Sequence, residues 1–168
     1  TSITAALDGT TRIQSIQGDV SGAVLTRING TTAGSTWNAN PIQNTGQQHF
    51  NVGGSNGVFN TSQIAEIIVF PNNANSANER QKVESYLGLK YGVTLPYNYM
   101  ASDASVYWNT TTNAGYNNNI TGLGRDEASK LYQRQSKSIN AGDQVVLGVG
   151  GALAASNLDN TNTLTNMQ

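Results

Sequence analysis

The sequence predicts a β-rich protein interrupted by one helix, and three observations carry that prediction. First, only 11% of the 168 residues are charged and the net charge is −1, so the polar character comes from Asn, Thr, Ser, Gln and 18 Gly. Asn and Gly tolerate the positive φ angles that tight turns between short strands require. Second, short apolar runs recur along the chain, each closed by turn-forming residues. Third, one stretch alone combines helix caps with helical periodicity.

The first seventy residues read as strands. "RIQSIQ" and "AVLTRI" are short apolar patterns, and the second runs into Asn29-Gly30, a strong hairpin signal. "QHFNVGG" is a third strand candidate. "QIAEIIVF", Gln63 to Phe70, has the composition of a central strand, apolar on both faces and closed by Pro71. The single helix is expected over 76–91. Ser76 and Glu79 have capping-box spacing, Val83, Tyr86, Leu87 and Lys90/Tyr91 form an apolar stripe, and Gly92 suits the C′ position before Pro96. Glu79, Arg80, Lys82 and Glu84 are expected on the wet side. Beyond the helix, "SVYWNT" and "DQVVLGVGG" read as strands, the second buried, and the segment from Ala154 onward is polar and unpatterned.

Composition also excludes functions. Without Cys there are no disulfides, thiolate metal sites or Cys nucleophiles. A near-neutral chain without a basic stripe has no field to gather nucleic acid, and no apolar run reaches the roughly 18 residues of a membrane span. No nucleic-acid partner and no direct membrane insertion are therefore expected.

Candidate chemistry is sparse. His49 is the only histidine, which argues against a Ser-His-Asp triad or a transition-metal site. Tyr86 and Lys90 have Y-x-x-x-K spacing, but no Gly-rich dinucleotide turn precedes them. Glu66 shares its strand face with Ile64, Ile68 and Phe70, so no second acid lies beside it for glycoside hydrolysis. No cofactor is required by these patterns. The oxygen-rich side chains leave a structural calcium open, with Asp103 and Asp126 as candidate ligands. Tyr107, Trp108 and Tyr116 are candidate sugar-stacking residues.

Two segments together are similar to a known arrangement. "IAEIIVFPNNANSANERQKVESYLGLKYGVTL" resembles the end of a laminin-G-like, concanavalin A-type jelly roll of large bacterial surface proteins. "YMASDASVYWNTTTNAGYNNNITGLGRDEASKLYQRQSKSINAGDQVVLGVG" resembles the β-module that follows it there, with Ala104 and Ser105 in place of the usual glycine region. The resemblance implies an all-β fold. Residues 1–96 would be the C-terminal part of a jelly-roll β-sandwich with its helix, and residues 97–168 a following, incomplete β-rich module. It implies a secreted or cell-surface multidomain protein serving adhesion, glycan binding or structural spacing, with no catalytic residues. Its expected partners are glycans, other surface proteins, the rest of its own polypeptide, or a secretion or anchoring complex. A jelly roll of this kind needs roughly 200 residues, so a piece of a longer chain is expected. Two alternatives are an ancillary or partial domain of a glycan-active hydrolase, and a cargo fragment held by secretion machinery.

Six of the nineteen charged residues fall within thirteen positions. Arg125, Asp126, Glu127, Lys130, Arg134 and Lys137 fall within "TGLGRDEASKLYQRQSKSI". Gly122 and Gly124 are expected to form a tight turn there, and Arg125 with Asp126 a paired corner, a structural rather than chemical role.

Overall fold

The computed structural model describes residues 10–18, 23–33, 37–38, 54–55, 58–59, 63–70, 76–142 and 145–165. These residues form small antiparallel sheets around a single helix. β1 (Gln14–Gly18) pairs with β2 (Ala23–Ile28), Gln14 opposite Ile28 and Gly18 opposite Val24. The chain then turns through Asn29 (φ 48°) and Gly30 (φ 79°) into β3 (Thr31–Thr32), which pairs with the end of β2. Two successive positive φ angles match the right-handed twist of a hairpin, and Asn-Gly accommodates both. β4 (Trp37–Asn38) pairs with the start of β2, and β5 (Gly54–Ser55) with β6 (Val58–Phe59). His49 and most of the "QHFNVGG" strand lie outside the described residues.

Gln63–Phe70 departs from its expectation. It forms no strand, and Ile64, Ile67, Ile68, Val69 and Phe70 are exposed. Its strand-like composition reflects both faces being apolar, but no neighbouring strand pairs with it among the described residues.

α1 (Ala77–Tyr91) begins and ends where its caps predict. Ser76 Oγ accepts the Glu79 N–H at 3.1 Å, and Gly92 (φ 68°) donates its N–H to the Gly88 carbonyl. The reciprocal half of the capping box is replaced by an ion pair from Lys82 to Glu79 at 2.8 Å. Of the expected apolar stripe, Leu87 and Tyr91 pack against the core, but none of its residues is among the fully buried ones. The buried helical residues are Glu84, Ser85 and Gly88, so Glu84 lies inside rather than on the wet side. Gly88 costs helix stability but allows close approach: a Cβ there would stand 3.1 Å from Leu95, Tyr99 and the Val93 carbonyl.

Beyond α1, β7 (Tyr99–Met100) pairs with β8 (Val106–Trp108), with a bulge between Tyr99 and Met100. β9 (Gly124–Asp126) pairs with β10 (Leu131–Gln133), and β11 (Gln135–Ser136) with β12 (Leu147–Gly148). The helix packs on β7, β10 and β11. The core joins Ile13 from the entry to β1 with Val93, Leu95, Tyr99 and Ile120, flanked by Leu87, Leu89, Tyr91, Tyr97 and Trp108. Burying such side chains stabilises by about 1.5–3 kcal/mol each. Tyr99 is fully buried, and its hydroxyl donates to the Val93 carbonyl while accepting the Leu95 N–H.

Two further expectations change. Among its described residues "DQVVLGVGG" contributes only the two-residue β12, and Val145, Val146 and Leu147 are exposed. The polar C-terminal stretch, by contrast, is held in place by amide side chains acting as substitute backbone. Asn157 Oδ1 accepts the Arg134 and Gln135 N–H groups, and its Nδ2 donates to the Tyr132 carbonyl. Gln135 exchanges two hydrogen bonds with the backbone of Ala154, and buried Asn160 donates to the Val149 carbonyl. Side-chain amides carry the same donor and acceptor pair as a peptide unit, so irregular chain can be fixed without a ladder. Among the described residues, no helix is long and apolar enough to cross a membrane.

Candidate functional site

Three carboxylates organise the molecule, each fixed by several donors. Glu84 projects from α1 towards the β1–β2 hairpin and is 1% exposed. It accepts from Ser15 Oγ at 2.5 Å and from the Tyr97 hydroxyl, and Arg80 Nε lies 3.5 Å away. Arg27, also buried, donates to Gln17 on the same hairpin at 3.2 Å. Burial and then Glu84 raise the Tyr97 hydroxyl's pKa, because both favour its neutral donor form. The Gly30 turn rests on the Tyr97 ring, where a Cβ would meet it at 2.5 Å. Ser15, Arg27, Glu84 and Tyr97 were not candidates in the sequence. Hydroxyls and charges scattered over 83 positions carry no local signal.

Glu66 is the second. Its carboxylate accepts from the hydroxyls of Tyr86 and Tyr91 and from Lys90 Nζ, all within 2.8–2.9 Å, fastening residues 63–70 to α1. Burial works to raise its pKa, but the bonds from Lys90, Tyr91 and Tyr86 outweigh burial and hold it below the usual value. The Lys90 ammonium is opposed by burial yet raised overall by Tyr86 and Glu66. Lys90 also lies 5.0 Å from the Tyr86 ring centre and 5.5 Å from that of Tyr91. The Y-x-x-x-K pair is thus a fastening for Glu66.

Asp126 is the third. Ser102 donates to it through both its N–H (2.9 Å) and its hydroxyl (2.7 Å), and the N–H groups of Ala128 and Ser129 and the Tyr107 hydroxyl complete the set. Burial alone would raise its pKa; these donors, Ser102 foremost, hold it down. Tyr107 is pushed up to about 12 by burial and by the Asp126 charge. The expected Arg125–Asp126 pairing is not formed. Alternation along β9 points the two side chains apart, so Arg125 pairs with Glu127, lies over the Tyr132 ring and donates to the Leu164 carbonyl. Gly122 and Gly124 do not make the turn either, for neither has a positive φ; the turn falls at Glu127–Lys130, with Lys130 at φ 59°.

The other candidates are dispersed. Asp103 is exposed and accepts from Ser105 through its hydroxyl and N–H, which lower its pKa; the nearby Asp126 charge acts in the opposite sense. Among the described residues no group of three or more His, Cys, Asp or Glu is placed to hold a metal ion. Tyr107 and Trp108 point to opposite sides of β8. Tyr107 lines a cleft of about 370 Å³ with Glu66, Ile68, Phe70, Met100 and Asp126. Trp108 packs on the core and donates from Nε1 to Asn117 at 2.8 Å. Tyr116 is 76% exposed, beside Asn117 and Asn118 of a second cleft of about 310 Å³.

Fold and side-chain networks together define a β-rich module clasped on one helix, with its carboxylates committed to structural donors. The chain belongs to a family described as a domain of unknown function (DUF8202), matched over residues 79–168, from within α1 to the last residue. No curated protein and no solved structure matches the chain.

Proposed function

We propose that the chain is a non-enzymatic module of a secreted or cell-surface multidomain protein, and that α1 fixes the spacing between the β-region before it and the β-module after it. The Glu84 cluster carries this reading: one buried carboxylate binds Ser15 of the first region, Tyr97 just beyond the helix and Arg80 within it. A flexible linker has no use for a buried charge, whose desolvation is tolerated only where geometry is held. Helix and following strands form one unit in this reading, in keeping with a family match that begins at Glu79. The hairpins before α1 are read as part of a concanavalin A-type jelly roll. Ile64–Phe70 is read as one of its strands, whose partners come from the rest of the polypeptide or from an anchoring complex.

The chain carries one Trp in each region, Trp37 in β4 and Trp108 in β8. Single-Trp variants Trp37→Phe and Trp108→Phe therefore report the two regions separately. Coincident thermal transitions are expected from both, with no release of reducing sugar from polysaccharides by the parent polypeptide. Two independent transitions would refute the spacing role, and turnover would move the protein to the enzymes.

A further inference from the structure

The second cleft is lined mainly by neutral amide and hydroxyl side chains. Its walls come from three separate segments: Asn29 and Thr31 at the hairpin turn, Thr94 and Pro96 after the helix, and Thr110, Asn117 and Asn118 in the loop after β8. No charged side chain lines it.

The walls are held before any ligand arrives. Asn29 Oδ1 accepts the Ile13 N–H at 2.8 Å, leaving its amide NH2 unengaged among the described residues. Asn117 is fixed at both ends, accepting from Trp108 Nε1 and donating to the Thr110 carbonyl, each at 2.8 Å. Thr110 donates through its N–H and hydroxyl to Asn98. The Thr31 hydroxyl and the Asn118 amide have no hydrogen-bond partner among the described residues. The Tyr116 ring, 76% exposed, stands next in the chain to Asn117.

We infer that this cleft binds a neutral glycan. An anionic ligand would need a cation to offset its desolvation and a cationic ligand an anion, and the lining supplies neither. Amides and hydroxyls each offer both a donor and an acceptor, the pairing that adjacent sugar hydroxyls present in return. In this proposal the exposed Tyr116 ring, outside the lining but next in the chain to Asn117, is the apolar face that meets the C–H side of a pyranose. Fixed walls reduce the ordering cost of binding, which favours recognition even in an open cleft. This site is distinct from the Tyr107 cleft, and it uses only Tyr116 of the three aromatic candidates.

The test is affinity electrophoresis of the whole chain through native gels containing soluble starch, hydroxyethylcellulose, mannan or arabinoxylan. Thr31→Val, Asn118→Ala and Tyr116→Ala leave net charge unchanged, so altered retardation reports binding. Retardation by at least one polysaccharide is expected, weakened about 5-fold by each variant. Unchanged melting temperatures would show that the variants fold, and Tyr107→Ala, in the other cleft, should bind as the parent does. Three results would overturn the inference. These are no retardation in any gel, retardation lost in Tyr107→Ala but kept in the cleft variants, and retardation equal in the parent and all three cleft variants.

Discussion

Replacing Glu84 by Ala tests the central clasp most directly. The substitution removes the acceptor for Ser15 Oγ and the Tyr97 hydroxyl and the counter-charge for Arg80. Arg80 Nε is buried with no hydrogen bond of its own, so the Glu84 charge is its compensation. Breaking a buried pair by removing one partner costs about 3–5 kcal/mol. Arg80 retains 21% side-chain exposure and with it some hydration. The lower end, about 3 kcal/mol, is therefore expected. For a chain of this size that lowers Tm by about 6–12 °C. The effect should reach across the helix: amide exchange at Ser15 and Arg27 rises, and the two Trp-reported transitions separate. A double-mutant cycle with Tyr97→Phe should show coupling of about 1 kcal/mol or more. A Glu84→Ala variant within about 0.5 kcal/mol of the parent would refute the clasp.

Three further outcomes follow from the same geometry. Gly92→Ala places a Cβ 2.1 Å from the Lys137 carbonyl oxygen at φ 68°, and should cost about 2 kcal/mol or more in denaturant melts. Glu66 and Asp126 have folded pKa values below their unfolded ones, so the stability they contribute is complete above the unfolded values and is lost as pH falls through the folded ones. Tm should hold from about pH 6 to 5 and drop below about pH 4, with Glu66→Gln flattening part of that limb. Millimolar calcium should leave Tm unchanged, since the Asp126 oxygens already accept from Ser102, Ala128, Ser129 and Tyr107; a rise abolished by Asp126→Asn would restore the calcium site.

The helix limits, the Asn29–Gly30 turn and β2 were legible because their signals are local: a hydroxyl three residues from an N–H, a glycine at positive φ, a short apolar run before a turn. Gln63–Phe70 was misread as a strand, because composition reports a preference for sheet and not whether a neighbour is there to pair with. Helical periodicity misjudged α1 for a related reason. It assumes that the buried face is apolar, whereas this face meets a hairpin whose Ser15 and Arg27 make a buried carboxylate tolerable. The Arg125–Asp126 corner was misread at the finest scale, where β alternation sends adjacent side chains to opposite sides.

The sequence by itself determined the β-rich class, the one helix of the described residues with both its caps, and the absence of thiols. Those depend on residue type and near-neighbour spacing. Only the tertiary structure decided which charges are buried, which aromatics face solvent, and where neutral amides and hydroxyls converge in a cleft. Those properties belong to pairs of residues far apart in the chain, and their energies depend on desolvation, which exists only once the surfaces have met.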